Sequence, residues 1–197
     1  MDEIRLVAMA AAGNADSFEQ LVLLYQKKVY SMAYHMTGSH FDAQDVTQEA
    51  FLRVYRSLSG FKSDSKFSTW LYKIVSNLCI DCNRKKKHTL PLYIEDGNGE
   101  ESVIEIPDNG GSPETALERS ELGLELLNAV RGLSEEHRQI FIMREISGMS
   151  YGEIGEALLI EEGTVKSRIY RAREKLREAL LLRGNIPENY SSKKRND

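Results

Sequence analysis

Cations concentrated in residues 163–183 give this sequence its most specific chemistry. Seven residues of that segment are Lys or Arg and two are Glu, which is a net charge of +5. Lys and Arg side chains at this density bind nucleic-acid phosphates, and a helix that carries them fits the DNA major groove. The segment therefore predicts DNA binding.

The apolar residues of the same segment predict which side of the helix faces the core. They recur at spacings of four, three and four: Val165, Ile169, Ala172 and Leu176. This spacing predicts one helix with a buried stripe. The opposite face carries Lys166, Ser167, Tyr170 and Arg171. Such a face can contact base edges and phosphates.

A second helix is predicted just before this one. Residues 152–158 place Ile154, Ala157 and Leu158 on one apolar face, and a tight turn separates the two helices. Two short helices of which the second is basic predict a helix-turn-helix. The alternative is a solvated amphipathic helix, which is what a charge run usually means. The supporting helix and the one-sided charge favour DNA binding.

The net charge of −4 conceals a separation of charge along the chain. Residues 88–120 hold eight acids and one base, a net of −7, so the rest of the chain carries +3. Residues 88–115 also hold three of the four prolines, which predicts a flexible acidic linker. The overall acidity therefore does not argue against a DNA partner.

No pattern in the sequence predicts catalysis. The four histidines are scattered, and no glycine-rich phosphate loop or nucleophile elbow is present. Cys79 and Cys82 lack two further ligands, so we interpret them as buried thiols rather than a metal site or a redox pair. We expect no enzyme activity, no cofactor and no metal. The lack of a long apolar run and of a signal pattern predicts a cytoplasmic protein with no membrane insertion of its own.

Helical periodicity fills the chain outside the linker. It predicts helices over residues 18–36 and 42–58, a third helix capped by Ser68 or Thr69, and four more at 121–131, 134–146, 151–158 and 163–182. We predict an all-α fold of two small helical domains, residues 1–87 and 116–183. The acidic linker 88–115 joins them, and residues 184–197 form a polar tail.

Three blocks together resemble the small sigma factors of the extracytoplasmic-function (ECF) group within the sigma-70 family. The first is DAQDVTQEAFLRVY at residues 42–55. The second has FSTWLYKI at 67–74 and DCNRKK at 81–86. The third is GTVKSRIYRAR at 163–173. In this order and spacing the blocks cover almost the whole chain outside the linker and tail.

The resemblance implies a region 2-like domain, a region 4-like domain and a role in transcription initiation. Such a protein binds core RNA polymerase, directs it to −10 and −35 promoter elements for a stress or envelope response, and is held by an anti-sigma factor. It is associated with the nucleoid when active and is retained at the membrane where its anti-sigma factor is anchored there. The alternative is a stand-alone helix-turn-helix regulator that uses residues 1–87 for sensing or dimerisation. For a protein of the resembled family, the acidic linker is either an electrostatic mimic of nucleic acid or a plain tether.

The resemblance also implies site residues in each block. Polymerase binding is implied for Asp45, Gln48, Glu49, Leu52 and Arg53. Recognition and melting of the −10 element are implied for Phe61, Phe67, Tyr72, Lys73, Asn77, Asp81 and Arg84. Recognition of the −35 element is implied for Thr164, Lys166, Ser167, Arg168, Tyr170, Arg171 and Arg173. We expect Tyr72 to face outward and Trp70 to pack in the core.

Overall fold

The computed structural model describes residues 2–61, 65–89 and 123–182, and every regular element within them is helical. The first half comprises α1 (Glu3–Ala11), α2 (Ala15–Thr37), α3 (His40–Ser57), a 3-10 turn (Leu58–Gly60) and α4 (Phe67–Thr89). The second half comprises α5 (residues 123–131), α6 (Glu135–Glu145), α7 (Tyr151–Leu158) and α8 (Glu162–Leu182). The predicted all-α fold is confirmed. The predicted tail and most of the predicted linker lie outside the described residues.

Short polar residues set the ends of α2. The side chain of Asn14 accepts a hydrogen bond from the Ser17 N–H at 2.8 Å and so caps the first turn. The helix ends at Gly38, whose φ of 75° lies in the left-handed region that glycine adopts without a steric cost. The sequence Thr37-Gly38-Ser39 therefore stops α2 where the pattern predicted.

The next two helices begin earlier than predicted. Ser39 accepts a hydrogen bond from the Asp42 N–H and caps α3, so the helix starts two residues before Asp42. Helix α4 begins at Phe67, and the expected capping by Ser68 or Thr69 is wrong. Thr69 is instead buried inside the first turn. Both Phe67 and Thr69 are buried against neighbouring helices. The local cap pattern of the sequence does not contain this packing, so it could not predict where α4 begins.

Apolar residues from both halves form one continuous core. The first half contributes the buried side chains of Leu21, Val29, Met32, Val54 and Leu71. The second half contributes those of Ile140, Ile142, Ile154, Val165 and Ile169. The two sets join because α2 contacts α6, and α4 contacts both α6 and α7. Across the described helices, none combines the length and apolarity that a bilayer span requires.

Candidate nucleic-acid interface and neighbouring surfaces

The helix-turn-helix is built by a capping box and a tight turn. The Ser150 hydroxyl accepts from the Glu153 N–H at 3.2 Å, and the Glu153 carboxylate accepts from the Ser150 N–H at 2.7 Å. The chain reverses at Leu159, whose φ of 56° is left-handed. The Ile160 N–H then donates to the Gly155 carbonyl at 3.0 Å. A Cβ at Gly155 would lie 2.8 Å from the Ile160 carbonyl oxygen, so this close approach needs glycine.

Helix α8 buries the predicted apolar stripe and exposes the predicted polar face. The buried residues are Val165, Ile169, Ala172 and Leu176. The exposed residues are Lys166, Ser167, Tyr170 and Arg171, which we call the α8 face. Tyr170 is 67% exposed, which leaves its ring and hydroxyl open to a ligand. The Ser167 hydroxyl donates to the Thr164 carbonyl at 2.9 Å, and Thr164 is half-buried.

Acids pair with three cations of α8. Lys166 pairs with Glu162 at 2.7 Å, Arg168 with Glu136 at 3.3 Å, and Arg173 with Glu145 at 2.6 Å. The hydrogen bond to Glu162 raises the pKa of Lys166. Ion pairs this exposed contribute little to stability. The guanidinium groups of Arg168 and Arg173 can therefore exchange these acids for a phosphate at small cost.

Four of the residues implied for the −10 element form a polar stripe on helix α4, which we call the α4 stripe: Lys73, Asn77, Asp81 and Arg84. Asn77 and Arg84 are exposed, and Lys73 and Asp81 are half-buried. The Arg84 guanidinium donates to the Asp81 carboxylate at 2.8 Å. Repeats of three and four place these residues on one side of the helix. The side-chain amide of Asn77, which has both a donor and an acceptor, therefore lies between the cations of Lys73 and Arg84.

Two residues assigned to the −10 site do not lie on this surface. Tyr72 is 2% exposed, so the expectation that it faces outward is wrong. Its ring contacts that of Tyr25 on α2 with centroids 6.3 Å apart, and burial raises its pKa to about 12. Phe67 is 4% exposed, and its ring also contacts that of Tyr25, with centroids 5.4 Å apart. Both rings pack beneath the surface because α2 covers this side of α4.

A pocket opens beside the α4 stripe. Its cavity volume is about 750 Å³, and its lining is Arg53, Arg56, Ser57, Gly60, Phe61, Ser65, Trp70 and Ile74. The rings of Phe61 and Trp70 are tilted against each other at 4.9 Å. Trp70 packs against the core as expected, but it is only half-buried and also lines this pocket. The aromatic faces can stack on a base, and the two arginines beside them can neutralise the phosphate of a nucleotide.

Sequence reasoning missed Arg56 and Trp70 as members of this pocket. Trp70 was expected to pack in the core, which left it without a predicted role at a surface. The available signal was the spacing of Arg53 and Arg56, which places two guanidinium groups at the end of α3 directly before an aromatic loop. We call this site the aromatic pocket.

The outer side of α3 forms a third surface, which we call the α3 surface: Asp45, Gln48, Glu49, Leu52 and Arg53. Four of these side chains are exposed, and Glu49 is half-buried and pairs with Arg53 at 2.8 Å. An apolar groove of about 380 Å³ adjoins it, lined by Phe18, Val22, Gln48, Phe51, Leu52 and Tyr55. An apolar centre with a charged rim is the composition of protein–protein interfaces.

The two cysteines differ in their surroundings. Cys79 is buried, as interpreted, whereas Cys82 is only half-buried. Burial raises the pKa of both thiols, so both are protonated near neutral pH. Among residues 2–61, 65–89 and 123–182, no group of His, Cys, Asp and Glu side chains has an arrangement that could hold a metal ion.

Comparison with known proteins assigns each half to a conserved region. Residues 21–89 match the family model of Sigma-70 region 2, and residues 123–176 match that of Sigma-70, region 4. The ECF RNA polymerase sigma factor SigW of Bacillus subtilis is 39% identical over 170 residues, which cover 85% of this chain and 91% of that protein. The ECF RNA polymerase sigma-E factor of Escherichia coli K12 is 34% identical over 177 residues, 86% of this chain and 89% of that protein.

Two solved structures share the fold over most of the chain. One is CnrH in complex with the cytosolic domain of CnrY, with a TM-score of 0.66, 26% identity, and coverage of 94% of this chain and 99% of that one. The other is the sigma factor RpoE from Bartonella quintana with the anti-sigma factor NepR, also at a TM-score of 0.66 and 26% identity, covering 85% and 99% of the two chains.

Proposed function

Because the chain belongs to the ECF RNA polymerase sigma factors, it directs core RNA polymerase to promoters, and we propose that its two halves divide promoter recognition between the −10 and −35 elements. The observation that carries the proposal is that both regions match in one chain and each presents an exposed polar face with cations. A stand-alone helix-turn-helix regulator accounts for α7 and α8 but leaves the match of residues 21–89 unexplained.

The α8 face reads the −35 element in this proposal. Lys166, Ser167, Tyr170 and Arg171 lie on the side of α8 away from the core, where a major groove can reach them. Thr164, Arg168 and Arg173 flank this face and hold phosphates, which position the helix without reading sequence. The exposure of Tyr170 supports this role, since a large ring left in water is available to pack on DNA.

The α4 stripe and the aromatic pocket recognise the −10 element. Lys73 and Arg84 bind phosphates of the DNA backbone, and Asn77 presents its amide to a base edge. A base that leaves the stack enters the pocket between Phe61 and Trp70, where stacking offsets the few kcal/mol lost on unstacking. Phe67 and Tyr72 then support the pocket and α4 from below instead of contacting DNA.

The α3 surface binds core polymerase. Its exposed Leu52 and the adjoining apolar groove supply the centre of the interface, and Asp45 and Arg53 supply its rim. Arg53 also lines the aromatic pocket, so polymerase binding and −10 recognition meet at one residue.

We extend the proposal to partners and location. RpoE is seen with the anti-sigma factor NepR, and CnrH with the cytosolic domain of CnrY, so we propose that an anti-sigma factor also binds this chain. The protein acts in the cytoplasm on nucleoid DNA, without chemistry of its own, as expected of relatives that are named as RNA polymerase sigma factors. Residues 1–87 and 116–183 act as the two recognition domains, and residues 88–115 join them.

Run-off transcription with purified core polymerase tests the function. Core enzyme with this protein should initiate within a genomic promoter library at sites that share a two-part upstream motif. The variant Lys166→Ala should lose the upstream part of that motif, and Asn77→Ala the downstream part, while Arg177→Ala serves as a control on the same helix as Lys166. Absence of any stimulation, together with tight duplex binding by the protein alone, would favour the regulator.

A further inference from the structure

Glu162 and Lys166 form an ion pair on the exposed side of α8. Glu162 is the first residue of that helix, and Lys166 follows one turn later on the same side. The Glu162 Oε1 and Lys166 Nζ atoms are 2.7 Å apart, and each side chain keeps about half of its surface exposed. The N-terminal residues of the second helix of a helix-turn-helix contact base edges. The pair therefore lies at the end of α8 that is suited to base contacts.

Contacts with α7 fix the position of both side chains. The Lys166 ammonium lies 5.9 Å from the centroid of the Tyr151 ring, which is within the range of a cation–π interaction. The Glu162 carboxylate lies beside the first turn of α7, since a Cβ at Gly152 would be 3.8 Å from its Oε2 atom. The N-terminal end of a helix carries a partial positive charge, which favours a carboxylate there. The ion pair is thus held in place before DNA binds.

The pair presents a hydrogen-bond donor and an acceptor side by side. The ammonium of Lys166 only donates, and the carboxylate of Glu162 only accepts. In the major groove, a G·C base pair presents the N7 and O6 acceptors of guanine next to the N4 amino donor of cytosine. Guanine O6 and cytosine N4 are hydrogen-bonded to each other, so they lie about 2.9 Å apart. This separation matches the 2.7 Å between the two side-chain atoms.

The other base pairs fit the ion pair less well. C·G and A·T present the central donor and acceptor in the opposite order. T·A presents them in the same order, but the thymine methyl group lies beside the O4 acceptor and the adenine N7 acceptor lies beside the amino donor. The ammonium then meets a methyl group where guanine has a second acceptor, and the carboxylate is repelled by N7. A G·C pair in one orientation is therefore the best match.

The pairing also explains how an acid is tolerated on a surface that binds DNA. An isolated carboxylate is repelled by the phosphates, whereas the positive charge of Lys166 offsets that of Glu162. The pair as a whole therefore adds little to phosphate binding. Its contribution to DNA binding is to select among base pairs.

We propose that Glu162 and Lys166 act together to specify one G·C base pair of the −35 element, with Lys166 donating to guanine and Glu162 accepting from the N4 amino group of cytosine. The inference rests on the proposed function of the α8 face. It adds Glu162, which the family resemblance does not imply, to the residues that read this element.

Transcription by core polymerase with the full chain tests this pair. The template is a promoter library whose −35 element is randomised, and a barcode in each transcript identifies its promoter. Sequencing the transcripts measures the base preference at every position for wild type, Glu162→Ala, Lys166→Ala and the double variant. Glu161→Ala is the matched control, because it removes the same charge from the neighbouring exposed residue.

We expect wild type to favour G·C at one position by about tenfold, and Glu162→Ala to reduce this preference to about twofold. Transcription from promoters with other base pairs at that position should rise in Glu162→Ala, because the repulsion between the carboxylate and base acceptors is removed. The double variant should lose no more of the preference than Lys166→Ala, since two residues that act together are not additive. Glu161→Ala should retain the preference.

A preference for G·C that survives Glu162→Ala, or that Glu161→Ala reduces equally, would overturn the inference. Inosine in place of the guanine keeps the major-groove atoms and removes the minor-groove amino group, so it should support the same activity. Loss of activity with inosine would mean that groove shape is read instead, and would also overturn the inference. If wild type selected no upstream motif at all, the proposed function itself would be contradicted. A clear motif with no position that responds to Glu162→Ala would contradict only the role of this pair.

Discussion

The ammonium of Lys66 lies 2.8 Å from the carboxylate of Glu153, which joins the loop before α4 to the first turn of α7. The hydrogen bond from Lys66, followed by those from Ser150, lowers the Glu153 pKa from 4.5 to about 2. A carboxylate whose pKa is lowered by folding stabilises the native state fully above its ordinary pKa. That stabilisation is lost as the pH falls from 4.5 toward 2.

The variant Glu153→Gln should therefore be less stable than wild type at neutral pH and should approach it in acid. Glutamine keeps the side-chain oxygen that accepts the capping-box hydrogen bond, so the loss of stability reports on the charge of Glu153 alone. Urea unfolding of both proteins at neutral pH and at about pH 3 measures the difference in free energy. Glu156→Gln is the control on the exposed side of the same helix. A difference that is constant across this pH range would contradict the assigned role of Glu153.

Leu159→Asn should stabilise the protein by about 0.5–1 kcal/mol. Leu159 is 83% exposed with a φ of 56°, a left-handed conformation that costs leucine more free energy than asparagine. Thermal and urea unfolding measure the gain. Leu159→Ala removes the same exposed side chain but keeps the strain, so it should show no comparable gain. Equal stabilisation by both variants would mean that exposure of the leucine, not its backbone conformation, was responsible.

Arg171→Ala should weaken binding to a −35 duplex by about 1–3 kcal/mol and relax specificity at one base pair. The reason is that Arg171 lies on the exposed α8 face, where a guanidinium can read a base edge. Titrations against a set of singly substituted duplexes measure both effects. Arg168→Ala provides the contrast, because loss of a phosphate contact should weaken all duplexes alike and reduce the salt dependence. If Arg171→Ala weakened binding to all duplexes equally, Arg171 would contact a DNA phosphate and not a base edge.

Trp70 is the only tryptophan of the chain, and it reports on the aromatic pocket directly. A single-stranded −10 oligonucleotide should quench its fluorescence, since a base that stacks in the pocket contacts the indole. Phe61→Ala should reduce the quenching and the affinity together. Tyr72→Phe should leave both unchanged because that side chain is buried. A quenching signal that survives Phe61→Ala would place the base elsewhere.

Much of the site could be predicted because it depends on one helix at a time. The stripe of Val165, Ile169, Ala172 and Leu176 is buried as its spacing required, and the α8 face follows as its opposite side. Gly38 ended α2 and the Ser150–Glu153 pair began α7 for equally local reasons. Each of these features involves residues within one helix or directly beside its end, so the local sequence contains the whole interaction.

Other features were decided only by packing between helices. Tyr72 and Trp70 both lie on α4, yet Tyr72 is buried against Tyr25 while Trp70 lines a pocket, because α2 covers one side of α4 and leaves the other open. The contact of Arg131 with Gly38 joins residues 93 positions apart. Periodicity assigns a side chain to a face of its own helix, but which neighbour covers that face depends on the arrangement of all the helices, and this arrangement exists only in the tertiary structure.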